Sequence, residues 1–181
     1  MAIAVVRPAD APQPGDGYVQ SFARGLEVIR SFSAQAPQQT LSEVASRTGL
    51  SRAGARRILL TLQTLGYVET DGRLFRLTAR ILDLGFAYLS SMPIWSLADP
   101  VMEALVEEVK ESCSAAVRDG TDIVYVLRVP VHKIMRISLG VGSRLPAYCT
   151  SMGRVLLAGL PDAQAEQRLA ASDRQRLTRT T

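Results

Sequence analysis

The sequence predicts an α+β protein in two parts, and three observations carry the prediction. Apolar residues recur at helical spacing up to about residue 65, and they alternate over residues 113–129. Excess positive charge is confined to the first part. At 181 residues the chain has room for two small domains, and 47% hydrophobic residues with 21% charged suffice to bury a core in each. No apolar run approaches the ~18 residues of a membrane span, so no membrane partner is expected. The opening MAIAVVRPADAPQPGDG, residues 1–17, lacks the charged start and long apolar core of a secretory signal and reads as a flexible lead-in. Cys113 and Cys149 form no CxxC pair, and His132 is the single histidine. A disulfide framework or a zinc site would lack ligands, so a cytoplasmic protein without metal or cofactor is expected.

The charge split points to a partner. Residues 1–80 hold ten arginines against six acidic side chains, whereas residues 81–181 hold eleven of each sign. Every basic residue in the first part is arginine, whose planar fork suits phosphates and guanine edges. A basic patch of no consequence is the plain alternative.

The first domain, residues 18–78, opens with a helix capped by Ser21, with Phe22, Leu26, Ile29 and Phe32 plus Val28 as its apolar stripe. AQAPQQ follows as a loop. The stretch LSEVASRTGLSRAGARR, Leu41 to Arg57, reads as two short helices meeting at a tight turn. Thr40 caps the first of them with Glu43 three residues on, as in a capping box, and Gly49 ends it. Ser51 caps the next helix, whose Ala55, Ile58, Leu59, Leu62 and Leu65 face inward. Arg52, Ala53, Arg56 and Arg57 face out, with Ala53 and Gly54 small enough for close approach to a surface. Solvated arginines on an amphipathic helix would explain as much without a partner. The hairpin after it, Tyr67 to Thr70 and Leu74 to Leu77 about Asp71-Gly72, makes that reading harder to keep. Arg73 and Arg76 can reach DNA beside the helix. Three helices followed by a hairpin, with this charge, predict a winged helix-turn-helix.

Residues 79–92 form a connector helix with Ile81, Leu82, Leu84, Phe86, Tyr88 and Leu89 against only Arg80 and Asp83 as charges. A helix this apolar must be covered, by its own monomer or by a second copy. The second copy is favoured, because two-fold dimers match two-fold operators.

The second domain, residues 93–181, begins where Asp99-Pro100 supplies a cap and a first helical proline, with Val101, Met102, Leu105 and Val109 as the buried stripe. Cys113, Ala115 and Val117 then alternate, Asp119-Gly120 turns, and Ile123, Tyr125, Leu127 and Val129 alternate back. Ile134 to Leu139 is a third strand. RLPAYCTSMGRVLLA, Arg144 to Ala158, joins a polar loop to a helix capped by Thr150 or Ser151. That helix start is either a plain cap or a seat for a ligand carboxylate. Cys149 beside Ser151 invites a nucleophile reading, but no acid–base constellation accompanies it, and no catalytic residue is assigned.

On these residues the chain resembles the IclR family of bacterial transcriptional regulators, from about Tyr18 to Ala158. SRAGARRILLTL, LDLGFAYLSS, SCSAAVRDGTDIVYVLRVP and LPAYCTSMGRVLLA look like its PcaR, PcaU and PobR branch, which controls breakdown of aromatic acids through the β-ketoadipate pathway. The resemblance implies an N-terminal winged helix-turn-helix, a linker helix used in dimerisation and a GAF-like effector-binding domain. It implies a double-stranded DNA operator, a homodimer or tetramer, and an aromatic or dicarboxylic acid effector such as protocatechuate, 4-hydroxybenzoate or β-ketoadipate. Thr40, Ser51, Arg52, Ala53, Arg56, Arg57, Gly72 and Arg73 are the expected DNA-binding residues. Pro146, Tyr148, Thr150, Ser151, Met152 and Gly153 are the expected effector-binding residues. Family members more often have Lys, Ser, Thr where this chain has Arg52, Ala53, Gly54, so a hydroxyl contact from position 54 is unavailable. The family's effector domain continues beyond a segment like ASDRQRLTRTT, so this domain is expected to be incomplete and effector binding impaired. An architectural DNA binder without ligand response, and an enzyme acting on small carboxylates, are the alternative functions.

Overall fold

The structure, a computed structural model, describes residues 15, 17–131 and 139–176. It divides into two compact units between Ser90 and Ser91. The expected lead-in therefore lies largely outside the described residues, as do His132 and all of the expected third strand except Leu139.

In the first unit, helix α1 (Gln20–Ser31) is followed by strand β1 (Gln38–Thr40), helices α2 (Leu41–Thr48) and α3 (Arg52–Thr64), and strands β2 (Val68–Thr70) and β3 (Leu74–Leu77). The core is small and aliphatic. Val28 of α1, Val44 and Ala45 of α2, Ala55, Leu59 and Leu62 of α3 and Val68 of β2 are all buried in one cluster. Full burial of each larger member contributes roughly 1.5–3 kcal/mol. Helix α1 begins one residue before the expected cap, with Val19 at the N-cap and no side-chain bond, so Ser21 lies inside it. Phe22 and Leu26 are exposed, because the unit's buried contact with α1 is made through Val28 instead. Leu65 likewise caps α3 and is half exposed rather than buried.

Strand β1 was expected as loop. It pairs antiparallel with β3, placing Gln39 opposite Phe75 and Thr40 opposite Leu74, and β3 pairs on its other side with β2. Gln39 is fully buried, and its Nε2 donates to Ser31 Oγ at 3.3 Å. Nothing apolar in this strand announces it; the open edge of β3 makes it a strand.

Helix α4 (Leu82–Ser90) follows one turn of 3-10 helix at Ala79–Ile81 and has no buried residue. Leu82, Leu84, Phe86 and Tyr88 are all exposed. Its own unit leaves the apolar connector uncovered.

In the second unit, helix α5 (Ile94–Val109) precedes the antiparallel strands β4 (Cys113–Asp119), β5 (Asp122–Val129) and β6 (Arg144–Pro146), ordered β4-β5-β6. Helices α6 (Ser151–Ala158) and α7 (Asp162–Ala171) follow. Helix α5 starts at Ile94, with Pro100 inside it, so Asp99 is not the cap. A proline costs one backbone bond within a helix, and this helix runs through that loss. The buried pair is consequently Met102 and Val106, while Val101, Leu105 and Val109 are exposed. Register shifts by one residue between Ala115 and Ala116, so Val126 lies opposite no single partner on β4. This bulge breaks the alternation expected along β5: Ile123, Tyr125 and Val126 are buried, and Leu127 and Val129 are only half-buried. Strand β6 was expected as loop; it pairs Leu145 with Ile123. Among the described residues no single helix is long and apolar enough to cross a membrane.

Candidate functional site

The arginine face of the first unit is built from the turn that precedes it. Gly49 adopts φ 67° at the end of α2, a left-handed conformation that costs glycine least, and this turns the chain into α3. Ser51 Oγ then accepts from the Gly54 amide at 3.1 Å and fixes where α3 starts. Arg52, Ala53, Arg56 and Arg57 are exposed on that helix, and their spacing puts Arg52 beside Arg56 and Ala53 beside Arg57. A Cβ at Gly54 would meet only Ser51 Oγ, at 3.2 Å.

Thr40 is drawn into the frame rather than left open. Its amide and hydroxyl both donate to Glu43 Oε2, at 2.7 and 2.8 Å, and its Oγ1 accepts from the Glu43 amide at 3.3 Å. This is the expected capping box. The bond from the Thr40 amide, then that from its hydroxyl, hold the Glu43 carboxyl below its usual range, helped by the charges of Arg47 and Arg73. One of these charges, Arg47, belongs to the last turn of α2 itself, and the other, Arg73, to the wing. Arg73 was expected at the interface. Arg47, exposed on α2 four residues after Glu43, was missed, although helical spacing alone puts it on the Glu43 side of the helix.

The wing tip is a two-residue turn with Gly72 and Arg73 at its centre, Gly72 at φ 99°. Asp71 Oδ1 accepts from the amides of Leu74 and Arg73, at 2.8 and 2.9 Å, and these bonds lower its carboxyl below the ordinary value of 3.8. Arg76 is already engaged: its Nε donates to Glu69 Oε1 at 2.6 Å across the hairpin. Arg73 thus carries the wing tip's charge to any partner, while Arg76 stands paired. An apolar groove of about 940 Å³ borders this face: Phe22, Leu26, Ile58, Leu65, Tyr67 and Leu84 are among its lining, and Gly49, Ser51, Gly54 and Arg57 reach it from the turn and α3.

The second unit places its six expected residues unevenly. Pro146 ends β6, and Ala147–Cys149 form one turn of 3-10 helix before α6. Thr150 caps α6: its Oγ1 accepts from the Gly153 amide at 3.2 Å and donates to the Pro146 carbonyl at 3.1 Å. Ser151 is exposed, and Met152 packs on the sheet core. Gly153 is buried because a Cβ there would sit 2.2 Å from the Ala147 carbonyl oxygen. Thr150 and Gly153 therefore build the close approach of α6 to the turn before it. Of the six, Tyr148 lines a cavity of about 300 Å³ together with Cys149, Arg154, Arg174, Gln175 and Arg176. Its hydroxyl donates to the Gln175 carbonyl and accepts from the Gln175 amide, both at 3.1 Å. The Cys149 thiol donates weakly to the Pro146 carbonyl at 3.7 Å.

A helix-turn-helix, a hairpin wing bearing arginine and an attached α+β unit define a winged-helix protein of the DNA-binding class. Sequence comparison names the family. Residues 21–72 match the IclR helix-turn-helix domain, and residues 86–181 match the domain described as bacterial transcriptional regulator IclR C-terminal. The chain belongs to the IclR family of bacterial transcriptional regulators. It is 40% identical over 165 residues to the Pca regulon regulatory protein of Pseudomonas putida, covering 91% of this chain and 57% of that protein. It is 37% identical over 150 residues to the p-hydroxybenzoate hydroxylase transcriptional activator of Acinetobacter baylyi, covering 80% and 55%. The chain thus spans little more than half the length of these relatives. Among solved structures, a transcriptional regulator of Rhodococcus sp. RHA1 superimposes with a TM-score of 0.79 at 55% identity, covering 91% of this chain and 65% of that one. An IclR homologue from Microbacterium hydrocarbonoxydans, complexed with 4-hydroxybenzoate, gives 0.71 at 25% identity, covering 88% and 65%.

Proposed function

We propose that the chain acts in the cytoplasm as a homodimeric, sequence-specific regulator of transcription, and that a small carboxylate in its second domain adjusts its grip on DNA. The genes it controls are those of aromatic-acid breakdown. One observation carries the reading: Arg52, Arg56 and Arg57 stand exposed on a helix whose start is fixed by the Gly49 turn and the Ser51 cap. Phosphate contacts supply affinity and base-edge contacts supply sequence preference, and a helix of this kind in the major groove offers both. Thr40 contributes by holding the start of α2, and Gly72 and Arg73 contribute beside the helix. Ser51 and Ala53 lie close to the DNA without crowding it.

The uncovered α4 supports the homodimer. Leu82 and Phe86 are each 69% exposed, a large apolar area to leave in water on a single chain. Pairing two copies covers it and presents two α3 helices to two half-sites. The ligand acts by favouring one arrangement of the pair over another. The names of the relatives, and the 4-hydroxybenzoate held by one solved homologue, support an aromatic acid as effector.

Selection of bound DNA from a random pool by the purified protein, repeated with 4-hydroxybenzoate and with protocatechuate, tests the proposal. A two-fold symmetric sequence whose recovery changes with one of the acids is expected. Recovery without sequence preference, or with a preference indifferent to every acid, would overturn it.

A further inference from the structure

We propose that Thr78 and Arg80 fix the direction in which α4 leaves the DNA-reading unit, and thereby set the half-site spacing that a pair of chains accepts. The inference rests on the dimeric, DNA-reading function above and adds which residues hold the two readers at one separation. Helix α4 has no buried residue, so packing within its own unit does little to hold its direction. Its root does. Helix α3 ends in a Schellman motif: Gly66 stands at φ 80°, its amide donates to the Gln63 carbonyl at 2.9 Å, and the Tyr67 amide reaches back to the Leu62 carbonyl at 2.9 Å. Gly66 and Tyr67 therefore move with α3.

On the far side of the wing hairpin, Thr78 is bound to both of them. Its amide donates to the Tyr67 carbonyl at 3.0 Å, and its hydroxyl donates to the Gly66 carbonyl at 2.6 Å. The same hydroxyl accepts from the Arg80 amide at 3.3 Å and so caps the 3-10 turn from which α4 grows. One side chain thus joins the end of α3 to the start of α4. Arg80 adds a second tie. Its guanidinium carbon lies 5.7 Å from the centre of the Tyr67 ring, and a Cβ at Gly66 would sit 3.2 Å from its Nη1. A cation here also suits the negative, C-terminal end of the α3 dipole. Beyond the root, Leu84 of α4 lines the same apolar groove as Leu65 and Tyr67. Where two copies pair through α4, the angle between α4 and α3 in each copy sets the separation of the two α3 helices. Successive base pairs lie about 3.4 Å apart and about a tenth of a turn on, so a held angle rejects a spacer one base pair too long, and a loosened angle accepts it. Thr78 and Arg80 are positioning residues: they act on the distance between half-sites and leave the bases read within each one unchanged.

The test uses the operator recovered by selection with the whole chain, remade with its spacer shortened or lengthened by one base pair. Affinities at fixed salt are measured for wild type, Thr78→Val, Thr78→Ser and Arg80→Gln, with a melting curve for each. Wild type should bind the recovered spacing about tenfold more tightly than either neighbour, the scale of a single mismatched base pair. Thr78→Val keeps the side-chain shape and the backbone bond but loses the hydroxyl, and should lower that preference about three- to tenfold. Thr78→Ser should keep it. Arg80→Gln, at an exposed position, should lower it too, and decides the matter if Thr78→Val does not fold. Folded variants that discriminate spacing like wild type would overturn the inference and leave the dimeric regulator standing. Equal weakening at every spacing would also overturn it, since the two residues would then serve only the stability of the unit. A wild type indifferent to spacer length, or a recovered operator without two-fold symmetry, would defeat the dimeric reading and this inference together.

Discussion

Replacing Gly153 with alanine isolates the packing that sets α6 against the turn before it. In an ordinary helix this change stabilises by about 0.5–1 kcal/mol, because alanine loses less conformational entropy on folding. Here the added Cβ would lie 2.2 Å from the Ala147 carbonyl oxygen, 2.4 Å from the Ala147 Cα and 2.5 Å from Thr150 Oγ1. Each distance is about an ångström inside the 3.4 Å at which ordinary contact begins, and two of the three neighbours are backbone atoms that cannot rotate away. Relief requires α6 to move or the turn at Ala147–Cys149 to open. Overpacking of this kind costs about 1–3 kcal/mol. Opening also breaks the bond from the Gly153 amide to Thr150 Oγ1, and losing such a cap costs about 1 kcal/mol. After the propensity gain, a net loss of roughly 1–3 kcal/mol is expected. Urea unfolding followed by far-ultraviolet circular dichroism and by Tyr148-region chemical shifts measures it. Gly25→Ala, in α1, is the control: nothing lies within 4 Å of its Cβ, so it should stabilise. The opposite signs are the discriminating result. If Gly153→Ala stabilised the protein as Gly25→Ala does, the close approach of α6 to Ala147 would be refuted.

Three further outcomes are expected. Phe86→Glu, on the uncovered α4, should shift sedimentation from dimer towards monomer and reduce operator affinity without changing the melting of the first unit. An unchanged dimer would remove α4 from the interface. Thr40→Ala should destabilise the first unit by about 1 kcal/mol through loss of the α2 cap, measured by thermal unfolding. Finally, Glu43 and Asp71 both have carboxyl groups held below their ordinary values, 4.5 and 3.8, by hydrogen bonds to Thr40 and to the amides of Leu74 and Arg73. A carboxyl lowered in the folded state contributes stability above its unfolded value and loses it as pH falls through its folded one. The melting temperature should therefore decline as pH falls below about 4.5, and Glu43→Gln should make that decline shallower. A slope unchanged by the substitution would show that Glu43 does not act as the cap's partner.

The parts legible in the sequence are those where one residue type has one local use. Thr40 with Glu43, Gly49, and Ser51 each specify a helix end, and each stands where expected. Asp-Gly marks both hairpins, although the structure centres the turns one residue later, on Gly72-Arg73 and Gly120-Thr121. Strand β1 was not legible, because Gln38, Gln39 and Thr40 form a strand only when β3 offers its edge. Strand β6 was hidden for the same reason beside β5. The start of α5 was misplaced because Asp99-Pro100 has the local chemistry of a helix start, and tertiary packing overrode it. At the candidate sites, which residues are exposed on α3 follows from 3.6-residue spacing alone. Arg47 could have been found that way, four residues after Glu43 on α2, whereas Arg154 and Arg174 could not, since they meet beside Tyr148 from segments distant in sequence.

The central claim is that α3 reads base sequence, and single-base substitution of the selected half-site tests it most directly. Affinities of wild type, Arg52→Ala, Arg56→Ala and Arg57→Ala are measured on every single-base variant at fixed salt. At least one arginine variant should lose about 1–3 kcal/mol on the preferred half-site and become indifferent to the base at one or two adjacent positions. Uniform weakening of all three variants across every base would contradict the claim, because those arginines would then touch phosphates only.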